Sequence, residues 1–77
     1  MVHAFVLIQT DVGRSTDVRQ ALSEIDGVAE AKEVTGPYDV VAQLEAGSMD
    51  DLGRLVLARV QQVEGITRTL TCPVVEA

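Results

Sequence analysis

Residues 40–46, VVAQLEA, repeat the alternation of apolar side chains in residues 2–8, VHAFVLI, at a distance of 38 positions. The same shift lays Ile25-Asp26-Gly27-Val28 on Val63-Glu64-Gly65-Ile66 without a gap. Each half therefore reads as strand, helix, strand, and two βαβ units in tandem are typical of the ferredoxin-like βαββαβ fold. The repeat predicts an α+β fold: a four-stranded antiparallel sheet of order 4-1-3-2, with both helices on one face.

The limits of each element follow from local residue patterns. Strands are expected at residues 2–9, 28–35, 38–46 and 66–75, where apolar and β-branched residues dominate. The first helix should begin at an N-cap formed by Ser15 or Thr16 and stop at Gly27. The second should begin after Ser48 and stop at Gly65. Pro73 suggests that the last strand lies at a sheet edge.

The composition excludes several classes of function. The chain has 77 residues, twelve carboxylates and six scattered basic residues, for a net charge of −6. Direct nucleic-acid binding, which draws on clustered Lys and Arg, is not expected. No apolar run approaches the roughly 20 residues of a membrane span. The single cysteine, Cys72, fits a reducing cytoplasm and is expected to be a buried apolar residue. No cofactor or metal site is predicted.

Strand alternation divides the side chains between two faces of the sheet. The small apolar residues of each repeat, from Val2 to Ile8 and from Val40 to Ala46, suit packing under the helices. The opposite, helix-free face should carry Phe5 and Leu7, an apolar surface larger than a monomer usually exposes. This predicts dimerisation through the sheets, which would form a dimeric α+β barrel. The expected interface residues are His3, Phe5, Leu7, Val41 and Gln43, joined by Thr67, Thr69 and Thr71 or by their neighbours in the last strand.

A loop of unusual composition separates the second and third strands. Gly36-Pro37-Tyr38-Asp39 places an aromatic ring and a carboxylate at the mouth of a central strand. Turn chemistry alone explains Gly36 and Pro37, because Pro fixes φ and Gly allows a tight turn. Asp39 can also bond nearby backbone amides. The half-repeat that begins at Val2 has no counterpart of this loop, which favours a binding role for Tyr38 and Asp39.

The motifs TGPYDVV (residues 35–41) and EGITRTLT (residues 64–71) resemble the effector-binding RAM domain of the Lrp/AsnC transcriptional regulators. The resemblance covers essentially the whole chain. It implies homodimers formed through the sheets, octamers built as a tetramer of dimers, and a small-molecule effector such as an amino acid. Those regulators carry a helix-turn-helix domain, whereas the first strand here begins at Val2. The sequence thus resembles a stand-alone RAM domain, which could also modulate full-length Lrp/AsnC regulators.

The resemblance also implies an effector site. It assigns the loop to effector binding, with Gly36 allowing close approach of the backbone and Pro37 stiffening the loop. The amides of Tyr38 and Asp39 would bind the carboxylate of an amino acid. The Asp39 carboxylate would bind its ammonium, and the Tyr38 ring would form a wall of the pocket. Hydroxyl contacts are expected from Thr69 and Thr71 across a subunit boundary, although Thr is common in strands for packing reasons alone. No catalytic residue is predicted.

Two other classes of function remain open. A pure protein-interaction or oligomerisation module would use the same loop without binding an effector. A small dimeric ferredoxin-like enzyme, such as a cofactor-free monooxygenase, would need a polar group inside a cavity, and the residues expected to face the helices are apolar.

Overall fold

A computed structural model describes residues 1–75 of the chain. Its elements follow the predicted order, with a short π-helical segment continuing the second helix. The bounds are β1 Val2–Thr10, α1 Ser15–Ser23, β2 Val28–Glu33, β3 Val40–Ala46, α2 Met49–Leu55, the π-helical segment Val56–Val60, and β4 Ile66–Pro73. Within these residues no helix has the length and hydropathy to span a membrane.

The four strands form one antiparallel sheet in the order β2-β3-β1-β4, which is the predicted order read from the other edge. The central strands β1 and β3 pair from Val2 opposite Ala46 to Ile8 opposite Val40. The first strands of the two repeated units, β1 and β3, are therefore paired with each other. Because the two apolar alternations run antiparallel in register, they face the same side of the sheet.

The core lies between this apolar face and the two helices. Ala4, Val6 and Ile8 of β1 are fully buried, as are Val18 and Leu22 of α1. The helix α1 packs on β2 and β3, while α2 packs on β3 and β1. Every buried side chain in the described part of the chain is apolar. The remaining core residues are Ile25, Ala31, Val40, Ala42, Leu44, Leu52, Val56 and Val60.

The two helix starts differ in their capping. Ser48 caps α2 as predicted, because its Oγ accepts the Asp51 amide at 3.1 Å. The prediction for α1 was wrong: its N-cap is Arg14, which makes no side-chain capping bond. The hydroxyls of Ser15 and Thr16 instead donate to Glu33 Oε1 at the end of β2, at 3.0 and 2.9 Å. Their hydroxyls thus bond a carboxylate that is distant in sequence and do not cap the backbone amides of α1.

The glycines predicted to stop the helices lie in the turns that follow them, because α1 ends at Ser23 and the π-helical segment at Val60. Gly27 and Gly65 have φ of 99° and 101°, a conformation that side chains with a Cβ rarely adopt. The Gly27 carbonyl accepts the Glu45 amide of β3 at 2.8 Å, and the Gly65 carbonyl accepts the Asp11 amide, just after β1, at 2.8 Å. Between α2 and Gly65 the helix widens, because the Gln61 amide donates to the Val56 carbonyl five residues earlier.

Four strand limits differ from the prediction. The strand β1 ends at Thr10, one residue later than expected. The last β2–β3 pair is Glu33 with Val40, so Thr35 and Tyr38 lie in the loop rather than in strands. The strand β4 ends at Pro73 instead of at residue 75. As Pro73 predicted, β4 is an edge strand.

Candidate functional site

The loop of residues 34–39 connects β2 to β3 and is closed at its base. The Val34 amide donates to the Asp39 carbonyl at 2.9 Å. Gly36 has a φ of 124°, which favours glycine, and a Cβ built there would meet no atom within 4 Å. Glycine is therefore required at this position by the backbone conformation and not by crowding. The open space leaves the tip of the loop accessible.

The end of β1 holds the other side of this loop. Gln9 Nε2 donates to the Pro37 carbonyl at 2.9 Å. The Thr10 amide and hydroxyl both donate to Asp39 Oδ2, at 2.8 and 3.3 Å. Gln9 and Thr10 were not predicted to belong to the site. The antiparallel pairing of β1 with β3 is the signal that could have found them, because it brings the end of β1 to the start of β3.

These contacts change the part that Asp39 can play. Its amide was expected to be free for a ligand carboxylate, but it donates to the Ile8 carbonyl at 2.9 Å. That expectation was wrong, because the Asp39 amide belongs to the edge of the β1–β3 ladder. One carboxylate oxygen, Oδ1, makes no hydrogen bond among residues 1–75, and neither does the amide of Tyr38. Tyr38 and Asp39 are both half-buried.

Thr69 and Thr71 lie apart from the loop within one subunit. Thr69 pairs with Ile8, which in turn pairs with Val40, so Thr69 is two strand spacings, about 10 Å, from the start of β3. Both threonines share the helix side of the sheet, and Thr69 Oγ1 accepts a bond from Gln61 Nε2 at 3.1 Å. The structure does not bring these two threonines to Tyr38 and Asp39.

The helix-free face brings the five predicted interface residues together: His3, Phe5, Leu7, Val41 and Gln43. His3 Nδ1 lies 3.5 Å from Glu45 Oε1 on the opposing strand. Phe5 is 42% exposed, and a groove of about 270 Å³ beside it is lined by Phe5, Val34, Val41, Gln43, Glu30 and Lys32.

The contribution of β4 to this face comes from Leu70 and Cys72, the neighbours of the threonines. They pair with Leu7 and Phe5 of β1. Cys72 is exposed, and its expected burial was wrong because the strand lies at the edge and this face carries no helix. The register with β1 decides which residues of β4 share the face, and it could not be derived from the alternating sequence of β4 alone.

Comparison with known sequences places this fold and loop in context. The Lrp/AsnC ligand binding domain family matches residues 3–77. An uncharacterized HTH-type transcriptional regulator of Pyrococcus furiosus is 28% identical over 71 residues, covering 88% of this chain and 47% of that protein. A homocitrate synthase of Sulfurisphaera tokodaii is 35% identical over 57 residues, which are 74% of this chain and 12% of the enzyme. The chain spans about half the length of the curated regulators that it matches.

Solved structures agree with the sequence match. The protein TTHA0845 from Thermus thermophilus superimposes with a TM-score of 0.93 at 36% identity, covering 100% of this chain and 96% of that one. Escherichia coli AsnC gives a TM-score of 0.90 at 25% identity, covering 99% and 52%. The Neisseria meningitidis transcriptional regulator NMB0573, solved as an L-Met complex, shares the fold with a TM-score of 0.81 at 18% identity, covering 97% and 50%. The chain therefore belongs to the Lrp/AsnC ligand binding domain family.

Proposed function

We propose that residues 1–77 form a single effector-binding domain that takes up a free amino acid at the loop of residues 34–39. In this proposal the domain works in the cytoplasm, as a self-assembling sensor or as a modulator of full-length Lrp/AsnC regulators. The observation that carries the proposal is the match of residues 3–77 to a ligand binding domain family. The loop supplies the chemistry that such a ligand needs.

A free amino acid presents a carboxylate and an ammonium at a fixed separation, so its site needs an N–H donor and an anionic acceptor. The Tyr38 amide is the available donor, and Asp39 Oδ1 is the available acceptor, since both are unbonded within the described chain. Gly36 and Pro37 shape the approach to these groups. The L-Met complex of the Neisseria regulator supports the choice of ligand class for this fold.

One subunit provides only part of this site. Thr69 and Thr71 lie on another strand, and in the proposal their hydroxyls reach the ligand from a neighbouring subunit. The helix-free face would form the dimer, because Phe5 and Leu70 are 42% and 47% exposed on it. Four dimers would then close into an octamer, bringing loops and threonines of different subunits together.

A pure protein-interaction module is the second candidate, and one observation favours it. One oxygen of the Asp39 carboxylate, Oδ2, accepts a hydrogen bond from the Thr10 amide, and the Asp39 amide donates to the Ile8 carbonyl. The conformation of the loop therefore has a structural explanation that needs no ligand.

A thermal-shift screen of the twenty amino acids and their 2-keto acids separates these candidates. A ligand that binds only the folded state raises the melting temperature by mass action, by an amount that grows with ligand concentration. We expect at least one amino acid to do so. The same hit should disappear in Tyr38→Pro, which removes the free amide, and persist in Val12→Ala, a change on a fully exposed side chain in another loop. No hit in either set would favour the interaction module.

A further inference from the structure

A polar cavity of about 360 Å³ lies at the start of β4, beside Thr69. We call it the β4 cavity; its lining is Gln61, Ile66, Thr67, Arg68 and Thr69. Four of these five residues have side chains that form hydrogen bonds, and none of the five is acidic. The β4 cavity therefore has a positively charged lining in a chain whose net charge is −6.

The charge of the β4 cavity comes from Arg68, which has no acidic partner in the described chain. Four of the six basic residues form ion pairs, namely Arg14 with Asp17, Arg19 with Glu33, Lys32 with Glu30 and Arg54 with Asp51. Among residues 1–75, Arg59 and Arg68 form none. The Arg68 side chain is exposed and is therefore available to a ligand.

The neighbours of Arg68 add hydrogen-bond donors to the same cavity. The Val74 amide donates to the His3 carbonyl at 2.9 Å, which fixes the residues of β4 whose N–H groups point toward β1. Thr69, opposite Ile8, turns its N–H away from β1. Gln61 Nε2 donates one of its two N–H groups to Thr69 Oγ1 at 3.1 Å, which leaves the other. A carboxylate, which only accepts hydrogen bonds, is the group that matches such a set of donors.

The link to a ligand rests on the proposed function, in which Thr69 of a neighbouring subunit reaches the amino acid held by the loop. The amide of Tyr38 and the carboxylate of Asp39 would hold the α-carboxylate and the ammonium. Because Thr69 borders the β4 cavity, the side chain of the ligand would enter that cavity. The approach of the loop would also remove water from Arg68. A guanidinium that loses water without gaining a partner destabilises the complex, and a carboxylate on the ligand supplies the partner.

Thr71 leads to a different kind of space. It borders an apolar groove of about 220 Å³, with Met49 and Leu57 among its lining residues. An aliphatic ligand side chain would suit that groove. It would leave the covered Arg68 guanidinium without an acceptor, however, so the unpaired charge favours an acidic side chain over an apolar one.

We propose that the effector is an amino acid with a carboxylate in its side chain, aspartate or glutamate, and that Arg68 determines this specificity. The guanidinium of Arg68 binds the side-chain carboxylate. The Thr69 amide and the Gln61 side chain complete its hydrogen bonds.

The test compares each acidic amino acid with its uncharged amide, glutamate with glutamine and aspartate with asparagine. The two members of a pair have the same shape and the same α groups, so the ratio of their dissociation constants measures the effect of the side-chain charge. We expect the acid to bind about tenfold or more tightly than the amide by isothermal titration calorimetry.

Arg68→Gln should abolish this ratio, so that the acid binds no more tightly than the amide, and should leave the affinity for the amide unchanged. The matched control is Arg59→Gln, which removes the same charge from an exposed residue outside the lining of the β4 cavity and should keep the ratio.

Four results would overturn the inference. Equal affinity for acid and amide, or tightest binding of leucine or methionine, would exclude an acidic effector and leave the amino-acid site of the proposed function in place. Absence of binding by every amino acid would overturn both proposals. A ratio that persists in Arg68→Gln would remove Arg68 from this role. A lower mass of ligand-free Arg68→Gln in light scattering would show that Arg68 pairs with a carboxylate of a neighbouring subunit and not with the ligand.

Discussion

The Asp39 carboxylate accepts a hydrogen bond from the Thr10 amide at 2.8 Å, across 29 positions of sequence. Ile8 is the last residue of β1 that pairs with β3, and its carbonyl faces that strand. Thr10, two residues further on, turns its amide to the same side, beyond the first residue of β3, Val40. The side chain of Asp39 therefore satisfies an amide that the ladder leaves without a backbone partner. This structural bond leaves only Oδ1 for a ligand.

Asp39→Ala should lower the free energy of unfolding by about 1–3 kcal/mol, because the part-buried Thr10 amide loses its acceptor. Asp39→Asn keeps an oxygen that can accept this bond and should recover most of the loss. Urea unfolding of both variants measures the difference. If the two variants are equally unstable, the charge and not the hydrogen bond accounts for the effect.

The variants Asp39→Ala and Asp39→Asn also distinguish an effect on folding from an effect on ligand binding. Asp39→Asn removes the negative charge that an ammonium requires, so it should abolish the amino-acid thermal shift in a protein that remains folded. Retained binding in Asp39→Asn would show that Asp39 does not hold the ammonium.

The 38-residue repeat made the sheet order and the apolar face predictable, because two tandem βαβ units set the order and side-chain alternation sets the face. The hydrogen-bond partners of individual polar groups were harder to predict from the sequence. Ser15 suits an N-cap by type, yet its hydroxyl bonds Glu33, which the sheet brings back after 18 positions. The loop motif pointed to Tyr38 and Asp39, whereas Gln9 and Thr10 belong to no motif. Their contacts arise from strand pairing, as does the face on which Thr69 and Thr71 lie.

Gly27 and Gly53 should respond to alanine in opposite directions. At Gly27 the φ of 99° disfavours any Cβ, and the added atom would lie 2.7 Å from Leu55 Cδ2. Gly27→Ala should therefore cost about 2–4 kcal/mol. Gly53 lies inside α2 with open space around it, so Gly53→Ala should raise the free energy of unfolding by about 0.5–1 kcal/mol. Thermal or urea unfolding of the two variants measures whether each change lowers or raises the free energy of unfolding. A stabilised Gly27→Ala would contradict the backbone conformation described for this turn.

Glu33 should contribute more to stability than its neighbour Glu30. Glu33 Oε1 accepts from both Ser15 and Thr16, and Oε2 lies 3.7 Å from Arg19 Nε, so one side chain ties the start of α1 to β2. Glu33→Ala should lower the free energy of unfolding by about 1 kcal/mol. This is less than the loss expected for a buried carboxylate, because the Glu33 side chain is exposed. Among the residues that the structure describes, the Glu30 side chain makes only an exposed ion pair with Lys32, and Glu30→Ala should change stability by less than about 0.5 kcal/mol. Equal effects of the two variants would show that the hydroxyl bonds to Glu33 add nothing.

Phe5→Glu tests the dimer proposed at the helix-free face. Phe5 lies at the centre of this face, opposite Gln43 on one side and Cys72 on the other, and borders the apolar groove. Two buried carboxylates without partners would oppose association through the face. Phe5→Glu should therefore be a monomer by light scattering. The fully exposed Val12 provides the control, since Val12→Glu adds the same charge away from the sheet and should leave the dimer intact. A Phe5→Glu variant that is still dimeric, with a folded circular dichroism spectrum, would place the dimer contact elsewhere on the molecule.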